Sequence, residues 1–276
     1  METISKSQLV AILNKHQLAP RKRLGQNFLV DGNIIKKIIA LINPDEVVVE
    51  IGSGLGALTL PAAEKANRII AFEKDIKIAS AFEKEFLTKN NNILLIKEDI
   101  LSSSDLLPNE DYIVLSNLPF YITSVVIRFF LENSRPPQKM ILMMQKEVAQ
   151  RICSRPPRMS LLAISVQFYA RPKIIFNVSR RSFWPSPAVD CSVIILEKKR
   201  ESMDFVNSKR FFSIVKAGFS RPRAQLLNNL SKKLKLNKED VKKQMLAVNL
   251  SPQRRAESLT LEEWLILIEG LKKMLL

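Results

Sequence analysis

Histidine and cysteine are scarce in this 276-residue chain, which has one histidine and two cysteines, Cys153 and Cys191. Two cysteines allow at most one disulfide, which excludes a disulfide-built fold and suits a reducing compartment. Three such residues are also too few for the usual zinc ligand sets. We therefore expect a protein that holds no metal.

Long apolar runs are missing as well. The longest stretch without a charged residue, Tyr112 to Ile127, is shorter than the roughly 18 residues of a membrane helix, and it contains Asn117 and Pro119. Residues 1–14 show neither the apolar core nor the cleavage site of a signal peptide. We expect a cytoplasmic monomer that does not contact membranes.

Acidic residues are outnumbered by basic ones, 27 to 43, which gives a formal net charge of +16. Residues 197–276 hold 18 basic and 9 acidic residues, so this part alone carries +9. At 46% hydrophobic residues the chain can form a sizeable core. We predict a first domain over 1–200, with a basic segment at 1–30, and a helical domain over 201–276. Such a charge favours a polyanionic partner.

Short apolar runs alternate with segments of helical period between residues 45 and 144, which predicts an α/β fold with a mostly parallel sheet and helices on both faces. The predicted strands are Val47 to Ile51, Arg68 to Phe72, Ile93 to Ile96, Ile113 to Leu115 and Met140 to Met144. The predicted helices are Gly56 to Ala66, Asp75 to Lys89 and Val125 to Leu131. A further helix and two strands are predicted between Met159 and Leu196, and helices follow at Phe211 to Gly218, Arg223 to Leu230 and Leu261 to Leu271. Binding loops of such a sheet lie at the carboxyl ends of its strands.

Glycine is the other scarce residue. Three of the seven glycines, Gly52, Gly54 and Gly56, lie between the first predicted strand and helix. Glycine lets a backbone approach a ligand, and a helix start supplies free amide donors. The spacing differs from the GxGxxG of dinucleotide sites, which favours S-adenosylmethionine over NAD, and a plain structural turn is the alternative.

Carboxylates follow the next two predicted strands. Glu73 ends the second strand, where it suits the hydroxyls of a ribose, although a solvated charge is the alternative. Asp99 follows the third strand and suits an adenine amino group, with helix capping as the alternative.

A loop after the fourth strand, Ser116 to Tyr121, suits methyl transfer to an adenine amine. The carbonyl groups of the Asn117 side chain and the Leu118 backbone can accept the amine hydrogens and so favour the nucleophilic form. Pro119 shapes the turn, and Phe120 can stack on a flipped base. Phe183, before a proline-stiffened loop, is a second stacking candidate. An Asx turn and two core aromatics are the alternatives.

Five separated motifs can be compared with those of known families. They are Arg21 to Leu29, Asn117 to Phe120, Phe183 to Asp190, Phe219 to Arg223 with Asn228 to Leu230, and Arg255 to Thr260. With the glycine loop, their order resembles the KsgA/RsmA family of ribosomal RNA adenine N6-dimethyltransferases. This resemblance implies a Rossmann-like methyltransferase fold that uses S-adenosylmethionine. The substrate it implies is two adjacent adenosines near the 3′ end of 16S rRNA, modified late in the assembly of the small ribosomal subunit.

The resemblance also implies site residues. The cofactor would be bound by Asn27, Leu29, Gly52, Glu73, Asp99 and Asn117, and the glycine loop adds Gly54 as a further candidate. We expect basic residues to contact phosphates, namely Arg21, Lys22, Arg23, Arg221, Arg223, Arg254 and Arg255. Two other functions stay open: an erythromycin-resistance-type methyltransferase of 23S rRNA, and an RNA-binding assembly factor that needs no catalysis. The C-terminal motifs favour the first family.

Overall fold

The computed structural model describes residues 3–199 and 205–274. The helices are α1 Lys6–Lys15, α2 Gly32–Ile39, α3 Thr59–Ala63, α4 Ile76–Phe86, α5 Thr123–Leu131, α6 Lys146–Ile152, α7 Leu161–Tyr169, α8 Phe205–Gly218, α9 Leu226–Leu234, α10 Lys238–Ala247 and α11 Leu261–Leu271. The strands are β1 Phe28–Leu29, β2 Val47–Ile51, β3 Arg68–Phe72, β4 Ile93–Ile96, β5 Tyr112–Asn117, β6 Lys139–Gln145, β7 Ala170–Val178, β8 Phe183–Trp184 and β9 Cys191–Lys198. All the predicted strands are confirmed, with small shifts at their ends.

A seven-stranded sheet has the order β4-β3-β2-β5-β6-β9-β7. The first five strands in this order, from β4 through β3, β2 and β5 to β6, run parallel. The next strand, β9, pairs with β6 in the antiparallel direction. In the centre, Val49 lies between Ile70 and Val114. Continuous apolar runs of this kind are typical of parallel strands that are covered on both faces. The mostly parallel α/β fold is confirmed.

One face of the sheet packs against α2 and α3. Ile35, Ile38 and Ile39 of α2 share a core cluster with Val48 and Leu115 of the sheet. A second cluster joins the N-terminal helix α1 to α4, through side chains such as Leu9, Leu13 and Phe82. Helices α1 and α2 are not among the predicted elements, although α2 repeats isoleucine at helical spacing.

The helix after the glycine loop is shorter than predicted. The expected span was Gly56 to Ala66, but α3 covers Thr59–Ala63. Gly56 has a φ of +89°, which lies outside the right-handed helical region. The chain therefore turns through residues 54–58 before the helix begins.

The chain forms two compact units, Met1–Ala149 with Pro172–Lys198, and Gln150–Arg171 with Lys199–Leu276. The segment Gln150–Arg171 thus groups with the C-terminal helices, in contrast to the predicted division at residue 200. The reason is apolar packing, since the Phe168 ring lies 4.3 Å from that of Phe211 between centroids.

The core of the second unit surrounds Trp264, which is completely buried. Asn229 is also buried, and its side-chain amide donates hydrogen bonds to the carbonyl oxygens of Gly218 at 2.6 Å and Arg221 at 2.9 Å. These bonds tie α9 to the end of α8. In the part of the chain that the structure describes, no helix has the length and apolar character needed to cross a membrane.

Candidate active site

A cleft opens at the carboxyl ends of the parallel strands, where the sequence predicts the binding loops. Its walls come from the N-terminal segment before β1 and from the residues that follow β2, β3, β4 and β5. Of the predicted site residues, it is lined by Asn27, Leu29, Gly52, Gly54, Glu73, Asp99, Asn117 and Pro119. The topology therefore gathers residues that are far apart in the sequence, such as Asn27 and Asn117, which are 90 positions apart.

The glycines of the loop serve different purposes. All three have a positive φ, which is +71° at Gly52, +57° at Gly54 and +89° at Gly56. A β-carbon at Gly52 would meet no atom of the described residues within 4 Å, whereas one at Gly56 would lie 2.2 Å from the Phe82 ring. Gly52 therefore leaves open space in the cleft, and Gly56 allows the loop to pack on α4.

Three backbone amides of this loop already donate hydrogen bonds within the protein. The N–H groups of Gly52 and Ser53 donate to the carbonyl oxygen of Phe72, at 2.8 and 3.2 Å. The N–H of Gly54 donates to Glu73 Oε2 at 2.9 Å. The loop is thus fastened to the end of β3, and its shape is set before any ligand arrives.

Glu73 lies in the wall of the cleft and is only 8% exposed. Its Oε1 accepts the backbone N–H of Asp75 at 2.8 Å, and its Oε2 accepts that of Gly54. Burial raises the pKa of the Glu73 carboxyl above its ordinary value, and the two backbone hydrogen bonds oppose this rise. A carboxylate oxygen has two acceptor sites, so Glu73 can still accept hydrogen bonds from a ligand hydroxyl.

Asp99 caps a turn, as one interpretation of the sequence predicts, and it also lines the cleft. Its Oδ1 accepts the backbone N–H of Leu101 at 3.1 Å, and its Oδ2 lies 3.7 Å from the Lys74 ammonium. That ammonium in turn lies 5.3 Å from the centroid of the Tyr121 ring. Lys74 therefore links an acidic group of the cleft to an exposed aromatic ring at its edge.

Asn117 ends β5 beside the N-terminal segment. Its side-chain amide nitrogen donates to the backbone carbonyl of Asn27 at 2.9 Å, and the Asn27 side chain donates to the carbonyl of Gly25 at 3.1 Å. With its nitrogen engaged in this way, Asn117 keeps its Oδ1 as the acceptor group. The segment before β1 thus fixes the orientation of the Asn117 amide.

The rest of the predicted loop is firmly placed. Leu118 is buried, and its backbone N–H donates to the carbonyl of Met143 at 3.0 Å. Phe120 is half-buried and packs against the cluster under α2 and α3. The next residue, Tyr121, is 53% exposed, so it presents the more open aromatic surface.

Strands β1 and β8 bring the N-terminal motif and the proline-containing motif together. They pair antiparallel, with Phe28 opposite Trp184 and Leu29 opposite Phe183. Phe183 is 4% exposed and belongs to the core. The expectation of an open stacking face at Phe183 is therefore corrected, because its ring is covered by packing around β1.

Asp75 connects the N-terminal basic segment to the acidic wall of the cleft. Its Oδ2 accepts the Gln26 side-chain amide at 3.0 Å and lies 3.4 Å from the Arg21 guanidinium. The Asp75 side chain is 4% exposed, and its backbone N–H is the one that Glu73 accepts. Through Asp75, Arg21 and Gln26 are held against the residue that precedes α4.

The basic residues predicted to contact phosphates differ in their surroundings. Lys22, Arg23, Arg221, Arg223 and Arg255 are exposed. Arg254 is half-buried, because its guanidinium binds the Glu263 carboxylate and the backbone carbonyl of Ser258. Arg254 therefore holds the start of α11 and is a weaker candidate for phosphate contact. No group of three or more His, Cys, Asp or Glu side chains within the described ranges is arranged to hold a metal ion.

Several residues of the cleft were not predicted. Glu50 lines it from inside β2, and Lys74 and Gln26 line it from neighbouring segments. Glu50 has a sequence signal, since it is the one charged residue in an apolar strand. The Gln26–Asp75 contact joins positions 49 residues apart and has no local signal.

Comparisons with known proteins agree on one family. The family described as "Ribosomal RNA adenine dimethylase" matches residues 17–273. A protein named ribosomal RNA small subunit methyltransferase A from Dehalococcoides mccartyi is 37% identical over 264 residues, which cover 94% of this chain and 90% of that protein. The protein of the same name from Geobacillus kaustophilus is 36% identical over 275 residues, or 94% of each.

Two solved structures are similar to the whole fold. A dimethyladenosine transferase from Plasmodium falciparum has a TM-score of 0.75 at 25% identity, covering 89% of this chain and 98% of that one. The 23S rRNA methyltransferase ErmE has a TM-score of 0.73 at 25% identity, covering 89% of this chain and 99% of that one. The two likenesses are almost equal, so the fold alone does not separate the two kinds of enzyme.

Proposed function

Because the chain belongs to the ribosomal RNA adenine dimethylase family, we propose that it transfers methyl groups from S-adenosylmethionine to the N6 atoms of two adjacent adenosines near the 3′ end of 16S rRNA. The substrate is the small ribosomal subunit or its precursor, and the step is a late one in subunit assembly. The observation that carries the proposal is the shared cleft of Glu73, Asp99 and Asn117 at the carboxyl edge of the sheet.

The residues of the cleft fit the cofactor. Open space at Gly52 admits a ligand against the backbone, and the adjoining Glu50 Oε2 and Ser53 Oγ are buried polar atoms that lack a partner among the described residues. Glu73 would accept hydrogen bonds from ribose hydroxyls, and Asp99 would accept one from an adenine amino group. Asn27 and Leu29 would close the cleft from the N-terminal side. When bound, S-adenosylmethionine supplies an electrophilic methyl group.

The chemistry that falls to the protein is to orient the target amine. Its lone pair is delocalised into the adenine ring, so acceptors on the amine hydrogens favour the form in which the pair is free to attack. The Asn117 Oδ1 and the Leu118 carbonyl would be these acceptors. Because the Asn117 nitrogen is engaged by Asn27, the acceptor cannot be exchanged for the donor by rotation of the amide. The methylated amine is acidic and loses its proton without a strong base.

The edge of the cleft suits a splayed-out nucleotide. Phe120 and Tyr121 follow Pro119, and base stacking on an aromatic ring contributes about 1–3 kcal/mol. Lys22 and Arg23 are exposed, and in the sequence they lie a few residues before Asn27 and Leu29. There they can contact phosphates and position the RNA. The exposed Arg221, Arg223 and Arg255 would serve the same purpose from the second unit.

The decisive experiment distinguishes the two rRNA substrates. The protein is incubated with isotopically labelled S-adenosylmethionine and, in separate reactions, with unmethylated small subunits and with large subunits. Modified nucleotides are then mapped by mass spectrometry. We expect two dimethyladenosines near the 3′ end of 16S rRNA. Modification of 23S rRNA would instead assign the erythromycin-resistance type, and binding without any methylation would assign an assembly factor.

A further inference from the structure

Tyr121 has an exposed aromatic ring, and it is the one such ring among the aromatic residues whose burial the structure describes. It is 53% exposed and follows the loop that ends β5, at the edge of the cleft. Single apolar groups are common on protein surfaces. The surroundings of the ring therefore decide whether it has a use.

The position of the Tyr121 ring is fixed by its neighbours. The Lys74 ammonium lies 5.3 Å from the ring centroid. The ring also lies close to the N-terminal segment, because a β-carbon at Gly25 would be 3.6 Å from Tyr121 Cε1 and 3.2 Å from Pro119 Cβ. A ring that is already held in place loses little conformational freedom when a ligand stacks on it.

Positive charges lie in the segments beside the ring. Lys22 and Arg23 are exposed in the turn just before the N-terminal segment reaches Tyr121. The Tyr121 hydroxyl raises the pKa of Lys74 above its ordinary value, partial burial opposes this rise, and the charge of Asp99 adds to it. Lys74 is therefore charged at neutral pH. An aromatic face beside several cations suits a single nucleic acid strand, whose base stacks on the ring while its phosphates meet the cations.

Phe120 and Tyr121 cannot stack on the same base. Both belong to the 3-10 turn Phe120–Ile122, in which successive side chains point about 120° apart. Phe120 is half-buried and packs against the core cluster, whereas Tyr121 is exposed. Phe183, the other stacking candidate, is buried. The edge of the cleft therefore has two separate aromatic faces, an inner one at Phe120 and an outer one at Tyr121.

We propose that Tyr121 is a second base-stacking residue, which holds the nucleotide next to the adenosine that is being methylated. This inference rests on the proposed function, in which the substrate contains two adjacent adenosines. While the reacting adenosine lies at the inner face and is directed toward Asn117, its neighbour on one side of the strand stacks on the outer face. Tyr121 thereby positions the strand and takes no part in the transfer of the methyl group.

The first test measures methyl transfer to unmethylated small subunits at saturating S-adenosylmethionine. Tyr121→Ala should lower kcat/KM for the subunit by about 5- to 100-fold, the range expected for one stacked base. Tyr121→Phe keeps the ring and should restore the parental value, whereas Tyr121→Leu keeps apolar bulk without an aromatic face and should stay low. The control is Leu94→Ala on β4, where the side chain is equally exposed. Parental kcat/KM in Tyr121→Ala or in Tyr121→Leu would overturn the proposal.

A second measurement separates stacking on RNA from support of the cleft wall. Isothermal titration calorimetry of the full chain with S-adenosylmethionine should give the same dissociation constant for Tyr121→Ala and the parent. A cofactor affinity that falls as much as kcat/KM would assign the ring to the wall of the cofactor cleft and would refute the proposal.

The third test removes the base instead of the ring. Two kinds of small subunit are assembled, each with 16S rRNA in which one of the two target adenosines is abasic, and methylation of the remaining adenosine is followed by mass spectrometry. In one of the two substrates the abasic nucleotide falls at the outer face, so Tyr121→Ala should cause no further loss there. In the other substrate the effect of Tyr121→Ala should persist. A full effect of Tyr121→Ala in both substrates would contradict the proposal.

Failure of this inference can be distinguished from failure of the proposed function. If the parent protein methylates no adenosine of 16S rRNA, the proposed function itself is wrong. If it methylates both adenosines and Tyr121→Ala does so equally well, the inference about Tyr121 alone is refuted.

Discussion

The side-chain nitrogen of Asn117 donates a hydrogen bond to the backbone carbonyl oxygen of Asn27 over 2.9 Å. The end of β5 is thereby held by the segment that precedes β1. The same segment is fastened to Asp75 through Gln26. The orientation of the Asn117 side chain therefore depends on the position of the N-terminal segment.

Changing Asn117 to Asp should abolish methyl transfer. A carboxylate cannot donate to the Asn27 carbonyl, and the two oxygens would repel each other. Loss of one preorganised polar group in an active site lowers the rate by roughly 10²- to 10³-fold, and we expect at least this fall in single-turnover transfer at saturating cofactor. Asn117→Ala should likewise lose transfer but bind rRNA almost normally. The control is Asn109→Asp, which makes the same change at an exposed position. Substantial activity in Asn117→Ala would contradict the proposed role of Asn117 in methyl transfer.

Asp75→Asn should weaken cofactor binding. The charge that holds Arg21 and Gln26 is lost, so the N-terminal segment is less firmly placed over the cleft. Hydrogen bonds to charged groups contribute about 1.5–3 kcal/mol, which corresponds to a dissociation constant raised about tenfold or more. Isothermal titration calorimetry measures this dissociation constant. Arg21→Ala should have a smaller effect, since this partly exposed pair contributes little, and Asp45→Asn on the surface should have none. Equal affinities for Asp75→Asn and the parent would contradict this account.

The exposed basic residues should determine how steeply RNA binding depends on salt. Each phosphate contact that is removed lowers the slope of log affinity against log salt concentration by about one. The measurement is the affinity for small subunits at salt concentrations between about 50 and 200 mM. We expect the slope to fall in Lys22→Ala, Arg23→Ala, Arg221→Ala, Arg223→Ala and Arg255→Ala. Arg254→Ala should instead keep the slope and lower the unfolding free energy by about 1–3 kcal/mol. A reduced slope in Arg254→Ala would return this residue to the RNA interface.

Glu50 should make the protein without cofactor less stable as the pH rises. Its pKa is about 7 in the folded state against an ordinary value of 4.5, so the folded state binds more protons between these values. The stabilisation is fully present below pH 4.5 and is lost as the pH rises to 7. Glu50→Gln should remove this dependence, and its unfolding free energy at pH 8 should exceed that of the parent by up to about 3 kcal/mol. Denaturant unfolding at pH 5 and pH 8 measures the difference, and an equal pH dependence in both proteins would contradict it.

Much of the cleft could be predicted because its residues follow strands that the hydrophobic pattern marks clearly. Glu73 and Asn117 both occur where an apolar run ends, and parallel strands bring such ends to one edge. The number of contacts already made by these residues could not be predicted. Glu73 is engaged by Gly54 and Asp75 before any ligand is bound, which depends on the turn of the loop and leaves no periodic pattern.

Other features depend on contacts between distant parts of the chain. The sequence placed Phe183 at a stiff loop but did not show that β1 would cover it. It also assigned Arg254 by charge alone, whereas Glu263 nine residues later neutralises it. In the sequence, the segment Gln150–Arg171 looks like a continuation of the first domain. Its grouping with the C-terminal helices depends on the packing of the Phe168 ring against Phe211, which has no signal in the local sequence.

The pairing of β1 with β8 has a consequence for the synthesis of the chain. Phe28 and Leu29 emerge early from the ribosome, but their partners Trp184 and Phe183 lie more than 150 residues later. Pairings of such sequence separation form slowly. The N-terminal wall of the cleft cannot reach its final position until two thirds of the polypeptide has been made. A truncated product that ends before β8 would therefore lack a complete cleft, even though the strands around Gly52 and Asn117 are already present.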